Sequence, residues 1–233
     1  MLFWVDSDLK IIVGWSAKCG CTHVMKIFWY LKTNNDDYKI HTPEDNCPLP
    51  TDVENYTTIL IIRNPYERLV SGFIDKYNQY GEYRHLWKHN NTTFSKFVNE
   101  LLKNDWLMID KHHFIQQTKE NFNETKLSKS KVIQIFDINN INYAYIEQLY
   151  NKKIPEKLLK FRGGHERKSV IKLEKYIYDI DMSLYYEYNV PVKYFYSNDI
   201  KEKVFSFYEN DFIIFKQYGF DYTKSLSQDT LKN

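Results

Sequence analysis

Three short apolar runs stand far apart in the chain: Ile11-Ile12-Val13, Thr57-Thr-Ile-Leu-Ile-Ile-Arg63 and Lys131-Val-Ile-Gln-Ile-Phe136. Each is rich in β-branched residues, as buried strands are. After each run the apolar spacing turns helical. The first is followed by Val24, Met25, Phe28 and Leu31, and the second by Leu69, Val70, Phe73, Ile74 and Tyr77. That second helix opens at Asn64-Pro65, where a first-turn proline loses no hydrogen bond. The third run leads through Asn139 and Asn140 to Ile141, Tyr145, Leu149 and Tyr150. Thr93 is placed to cap a further helix bearing Phe94, Phe97, Val98, Leu101 and Leu102, and Asp199 to Tyr218 reads as a helix or two. Thr33 to about Tyr56, with Pro43, Pro48 and Pro50, reads as irregular connection, and so do residues 79–91. Strands alternating with helices predict one α/β domain over residues 1–233 on a central, mainly parallel sheet flanked by helices. No repeat, low-complexity tract or domain boundary interrupts it, and the last ~10 residues read as a loose tail.

The first strand runs into Gly14-Trp-Ser-Ala-Lys-Cys-Gly-Cys-Thr22 before its helix begins. A strand that turns through small residues into a helix presents unpaired N–H groups and the positive end of the helix dipole to an anion. Lys18 adds a mobile cation, and Thr22 a hydroxyl that can bond an oxyanion or cap the helix. The loop is therefore expected to cradle a phosphate or sulfate. An ATP or GTP loop would need Gly-Lys-Ser/Thr after its spaced glycines, but here Lys18 precedes Gly20. The dinucleotide fingerprint fails as well.

A formal net charge of +2 over 233 residues gives no argument for nucleic acid or a membrane surface, so anion affinity must come from local placement of basic groups. Cys19, Cys21 and Cys47 are too few and too oddly spaced for a disulfide framework or a zinc site. The first two are expected to be small, buried loop-lining residues. Asn55, Asn90, Asn91 and Asn123 open glycosylation acceptor patterns that matter only in a secreted protein. Met1-Leu-Phe-Trp-Val is stopped by Asp6 and Asp8 and does not read as a signal peptide, and no stretch approaches the ~18 apolar residues of a membrane span. The chain as written reads as soluble.

Arg63 closes the second strand, where ligands of parallel sheets collect, and Ser71 lies about two turns into the next helix. A guanidinium with a hydroxyl suits a phosphate. Glu67 and Arg68 between them read as a solvated face or an internal ion pair. Taken together, Ala17-Lys-Cys-Gly-Cys-Thr22 and Arg63-Asn-Pro-Tyr-Glu-Arg-Leu-Val-Ser71 resemble the two nucleotide-binding motifs of sulfotransferases that use 3′-phosphoadenosine-5′-phosphosulfate (PAPS). The likeness is to the family 2 carbohydrate enzymes of the chondroitin, dermatan and HNK-1 type. Asp110-Lys-His-His-Phe-Ile-Gln116 resembles that family's Asp-x-His-Trp-x-Pro-Gln. Tyr208-Glu-Asn-Asp-Phe-Ile-Ile-Phe215, closing with Tyr218-Gly-Phe-Asp-Tyr222, resembles its C-terminal ending. The matches keep family order from about residue 11 to 222.

The resemblance implies a P-loop-like fold with Lys18, Cys19, Gly20, Cys21 and Thr22 around the 5′-phosphosulfate. It implies Arg63 and Ser71 on the 3′-phosphate, and Lys18 against the charge developing on the leaving group. His112, oriented by Asp110, is the expected base for a hydroxyl acceptor, because histidine titrates near neutral pH and a carboxylate fixes its tautomer. His113 and Ile115 stand where the family has Trp and Pro, and Asn64 where it has Asp. His23 is expected either to meet the adenine edge or to face solvent. The Arg162-Gly-Gly-His-Glu-Arg-Lys-Ser169 segment, with Arg167 and Lys168, is expected either to close over the 3′-phosphate or to be a solvated basic loop. The implied donor is PAPS, with 3′-phosphoadenosine-5′-phosphate (PAP) as product and no metal required. The implied acceptor is a carbohydrate or other hydroxyl compound, with no nucleic acid. A complete chain would be cytoplasmic, and an excised catalytic domain would belong to the Golgi lumen. Two rivals are a non-catalytic PAP- or glycan-binding protein and an ATP-dependent phosphotransferase.

Overall fold

The computed structural model describes residues 1–38, 47–77, 81–83, 85, 92–104, 109–118, 126–161, 171–172, 175–181 and 188–226. The chain divides into two units, one of Met1–Arg63 with Gln117–Glu166 and the other of Asn64–Gln116 with Arg167–Asn233. The alternating pattern gave no sign of this division, because strand–helix alternation runs on through it.

The first unit holds a four-stranded sheet in the order β1 (Leu2–Asp6), β2 (Ile11–Trp15), β3 (Thr57–Ile62), β4 (Val132–Asp137). Strands β2, β3 and β4 are parallel, with Ile11 opposite Thr57 and Thr57 opposite Val132. The α/β architecture on a mostly parallel sheet is the one the spacing predicts. Ile12, Val13, Ile59, Leu60 and Ile61 are wholly buried, as strands covered on both faces must be. Helix α1 (Cys21–Thr33) turns Val24, Met25, Ile27, Phe28 and Leu31 inward. These meet Trp4, Trp15, Ile146 and Tyr150, the last two from α5 (Tyr143–Tyr150). Asn142 caps α5 by accepting the Tyr145 N–H at 3.1 Å. The α1 end is closed by Asn34 in the left-handed conformation and by Lys152, whose Nζ donates to the carbonyls of Tyr30 (2.9 Å) and Leu31 (3.1 Å).

Strand β1 is new relative to the sequence reading. It pairs antiparallel with β2, Leu2 against Trp15 and Asp6 against Ile11. The connecting turn is made by Asp6, whose Oδ1 accepts the N–H groups of Asp8 and Leu9 at 3.1 Å, and by Lys10 at φ 54°. Gly14 belongs to β2 and not to the loop. A Cβ there would lie 2.7 Å from Leu60 and 2.9 Å from Phe3, so only glycine lets those side chains cross the strand.

The second unit is mainly helical. It contains α2 (Pro65–Tyr77), α3 (Phe94–Leu102), the single turn α4 (Lys111–Phe114), α7 (Asn198–Phe207) and α8 (Glu209–Gln217). The short α6 (Glu156–Leu159) belongs to the first unit, and a two-residue parallel pair, β5 (Ile171–Lys172) with β6 (Tyr188–Asn189), to the second. Thr93 caps α3, accepting the Lys96 N–H at 3.2 Å, as expected. The core is aromatic: Phe73, Phe94, Phe97, Phe114, Phe195 and Phe212 are buried together with Tyr66, Tyr77 and Tyr208. Ring pairs such as Phe97 with Phe114 (4.9 Å, 62°) and Phe94 with Tyr196 (5.2 Å, 82°) take edge-to-face geometry. Much of the chain's aromatic content serves this core.

Candidate functional site

In the first unit the loop between β2 and α1 carries Lys18, Cys19 and Gly20. The Cys19 N–H donates to the Ser16 carbonyl at 3.1 Å, which tightens the turn. Lys18 has φ 68°, a left-handed conformation unusual for a residue with a Cβ. Gly20, also at φ 68°, is the residue before α1, and a Cβ there would fall 2.6 Å from Ile138. Cys19 is wholly buried, whereas Cys21 is half-buried in the first turn of the helix. The residue before α1 is Gly20, which has no side chain to cap the helix, and the first turn holds no acidic residue. The opening N–H groups of a 13-residue helix sit beside Lys18 with nothing negative near them in the sequence, which is what an anion needs.

Arg63 follows β3 directly. Its Nη1 donates to the Lys18 carbonyl at 3.1 Å, so the guanidinium at one strand end grips the strained residue of the neighbouring loop. Gln117 holds Arg63 by its backbone: Oε1 accepts the Arg63 N–H at 3.1 Å, and Nε2 donates to the Arg63 carbonyl at 2.9 Å. The same Oε1 accepts from the Cys19 thiol at 3.1 Å, and Gln117 is 2 % exposed. Sequence reasoning missed Gln117, because the Asp110–Gln116 motif ends one residue before it.

His23, in the first turn of α1, is bonded through both ring nitrogens. Nδ1 donates to the Phe161 carbonyl at 3.0 Å, and Nε2 shares a hydrogen bond with the Tyr143 hydroxyl at 2.7 Å. The ring is thus anchored between Phe161 and Tyr143 rather than left facing solvent.

In the second unit Asp110 caps the α4 turn. Its Oδ1 accepts the backbone N–H of His112 at 3.0 Å, and its Oδ2 pairs with Nδ1 of His113. The expectation that Asp110 orients the His112 ring is therefore corrected: the carboxylate grips the His112 backbone and the His113 ring. Three-residue spacing on one turn brings positions 110 and 113 to the same face, which places 112 off it. Burial pushes the Asp110 carboxyl up, but the bond and charge of His113 and the His112 N–H outweigh it and hold it below 3.8. His112 is exposed, with its ring edge-on to His113 at 5.0 Å. Its pKa lies below 6.5, first through loss of solvation around the ring and then through the His113 charge, against the pull of Asp110.

The end of α4 and the residues after it are held from several elements. Arg68 Nη1 donates to the Ile115 carbonyl at 2.8 Å, Tyr208 Oη to the Phe114 carbonyl at 2.6 Å, and Gln116 Nε2 to the Phe207 carbonyl at 2.7 Å. Arg68 is 1 % exposed, so the solvated-face reading fails for it, while Glu67 is half-buried. Asp211, wholly buried, pushes the Tyr208 hydroxyl's pKa up together with the dominant effect of burial. The Arg-Leu-Val-Ser and Tyr-x-x-Asp-Phe stretches thus contribute buried supports that composition alone did not reveal.

Ser71 lies in α2, half-buried. Arg167 and Lys168, with the rest of 162–170, lie outside the described residues. Among the described residues no helix is long and apolar enough to cross a membrane. No curated protein and no solved structure matches the chain. A family model does, over residues 1–219, and by that match this chain belongs to the Sulfotransferase family.

Proposed function

We propose that the chain transfers a sulfuryl group from PAPS to a hydroxyl of a carbohydrate, with its 5′-phosphosulfate side held by the β2–α1 loop. The observation that carries this reading is the bond from Arg63 Nη1 to the Lys18 carbonyl, which ties the two motif cations together at adjacent parallel strand ends. The cradle fits a bound anion: a glycine closes it where a Cβ would strike Ile138, and that glycine has no side chain to cap α1. PAPS supplies the activated sulfuryl group and departs as PAP. The Lys18 ammonium stands against the charge that grows on the leaving oxygen, and the N–H groups and hydroxyl of Thr22 bind the 5′-side oxygens. Arg63, joined by Ser71 on the strength of the motif, takes the 3′-phosphate. On the strength of the motif, His112 of the α4 turn supplies the base that removes the acceptor proton. Arg167 and Lys168 keep the 3′-phosphate role that the resemblance implies.

Calorimetric titration with PAP beside ATP and ADP, on the wild type and on Arg63→Ala, tests this. Tight PAP binding that Arg63→Ala weakens to the level of a ligand lacking the 3′-phosphate, with weak ATP binding, is expected. Better binding of ATP with magnesium would put a phosphotransferase in its place.

A further inference from the structure

Gln117 stands one residue past the Asp110–Gln116 stretch, and its side chain closes a ring of hydrogen bonds. From the Lys18 carbonyl the ring passes to Arg63 Nη1 (3.1 Å) and along that side chain to the Arg63 backbone. It then crosses the Gln117 amide (3.1 and 2.9 Å) to the Cys19 thiol (3.1 Å), which is covalently next to Lys18. The amide orientation is fixed by its partners, since a reversed amide would set Nε2 against the Arg63 N–H and the thiol. Beyond the pair Trp15–Ile61 strand β2 leaves the sheet for the loop. Gln117 gives Arg63 the two bonds that a strand neighbour would have given. Buried as it is, the amide works in a low dielectric, where such bonds are strong and a missing partner is costly.

We infer that Gln117 is the positioning residue for donor selectivity: it sets the Arg63 backbone so that the guanidinium both pins the cradle loop and meets a 3′-phosphate. This rests on the donor reading given above. Gln117 itself touches no reacting atom. Its side chain acts on Arg63 through two bonds and on the loop through one thiol bond, a weak donor. Its loss should therefore weaken ligands that carry a 3′-phosphate more than ligands that lack one, an asymmetry that general loosening of the fold does not produce.

The test is titration of PAP and of 5′-AMP, which lacks the 3′-phosphate, into wild type, Gln117→Met, Arg63→Ala and the double variant. Methionine keeps the length and removes the bonds. Gln117→Met is expected to lower PAP affinity about tenfold and AMP affinity by less than about threefold, as loss of buried hydrogen bonds to one partner implies. In the Arg63→Ala background the same change should cost PAP nothing further, because the group it positions is gone. An unchanged PAP-to-AMP ratio in Gln117→Met, or losses that add in the double variant, overturns the role of Gln117 while leaving the donor reading intact. A wild type that binds PAP no better than AMP overturns both. Should Gln117→Met fail to fold, Cys19→Ala removes only the thiol leg; the inference then requires a smaller fall in the same ratio, and an unchanged ratio refutes it.

Discussion

Lys18 illustrates how chemistry and backbone strain meet at one residue. A Cβ at φ 68° costs about 1–2 kcal/mol relative to a relaxed conformation, and the Arg63 bond to its carbonyl helps to hold it there. Lys18→Gly should therefore be more stable than Lys18→Ala by about 1 kcal/mol, read as a shift in denaturant midpoint, while both lack sulfuryl transfer. Equal midpoints would mean that the left-handed conformation carries no strain. The histidine turn offers a second check at this scale. The folded pKa of Asp110 lies below 3.8, so its contribution to stability is complete above that value and disappears as pH falls through the folded pKa. Asp110→Asn should lower stability at neutral pH and flatten the acid limb of the stability curve below pH 3.8, measured by urea unfolding at successive pH values. For His112 the depressed pKa favours the neutral ring: its proton NMR titration should centre below 6.5, leaving it unprotonated at pH 7. A midpoint above 6.5 would show that the Asp110 charge, and not desolvation, dominates. Lys18, Arg63 and His112 stood out in the sequence as candidate chemistry-bearing residues, whereas His113 was marked only as a departure from the family's Trp. Which histidine the carboxylate grips was not legible, because it depends on the three-residue spacing of a turn too short to leave a periodic signal.

At the scale of elements, the strands and helices with strong periodicity were readable to within a few residues: β3, β4, α2 and α3 lie where the spacing put them. Strand β1 was not, because Met1-Leu-Phe-Trp-Val gives five residues without alternation and its partner strand is itself continuously apolar. The roles of Arg68 and Tyr208 were equally hidden, since a helical arginine followed by apolar residues looks the same whether its guanidinium is solvated or buried. Both act on carbonyls at the end of α4, those of Ile115 and Phe114. Tyr208→Phe, which deletes only the hydroxyl, should cost about 1 kcal/mol, and Arg68→Met, which removes a charged donor from a buried carbonyl, about 2–3 kcal/mol. Chemical denaturation measures both. If Arg68→Met were the milder change, the guanidinium's desolvation would have to offset its bond.

For the whole molecule, the chain passes between its two units at Arg63–Asn64, at Gln116–Gln117 and at Glu166–Arg167. Each unit has a core of its own, one built on the sheet and one on aromatic rings. Two cores would suit two independent folding domains, but the sequence order argues otherwise: neither unit is a continuous stretch, and β3 runs into α2 with only Arg63 and Asn64 between them. A unit made of separated stretches must close long loops to form alone, which costs conformational entropy that the other unit's folding removes. We propose that residues 1–233 unfold as one cooperative domain. Calorimetry should then show a single transition. If PAP binds the Lys18–Arg63 cradle as proposed, a saturating concentration should move that whole transition upward by the linkage relation, about 2.7 kcal/mol at a hundredfold excess over Kd. Arg63→Ala should shrink the shift sharply without splitting the transition. Two transitions, of which PAP moves only one, would instead show that the donor cradle folds as a module and that the aromatic unit is a separate domain sharing its chain.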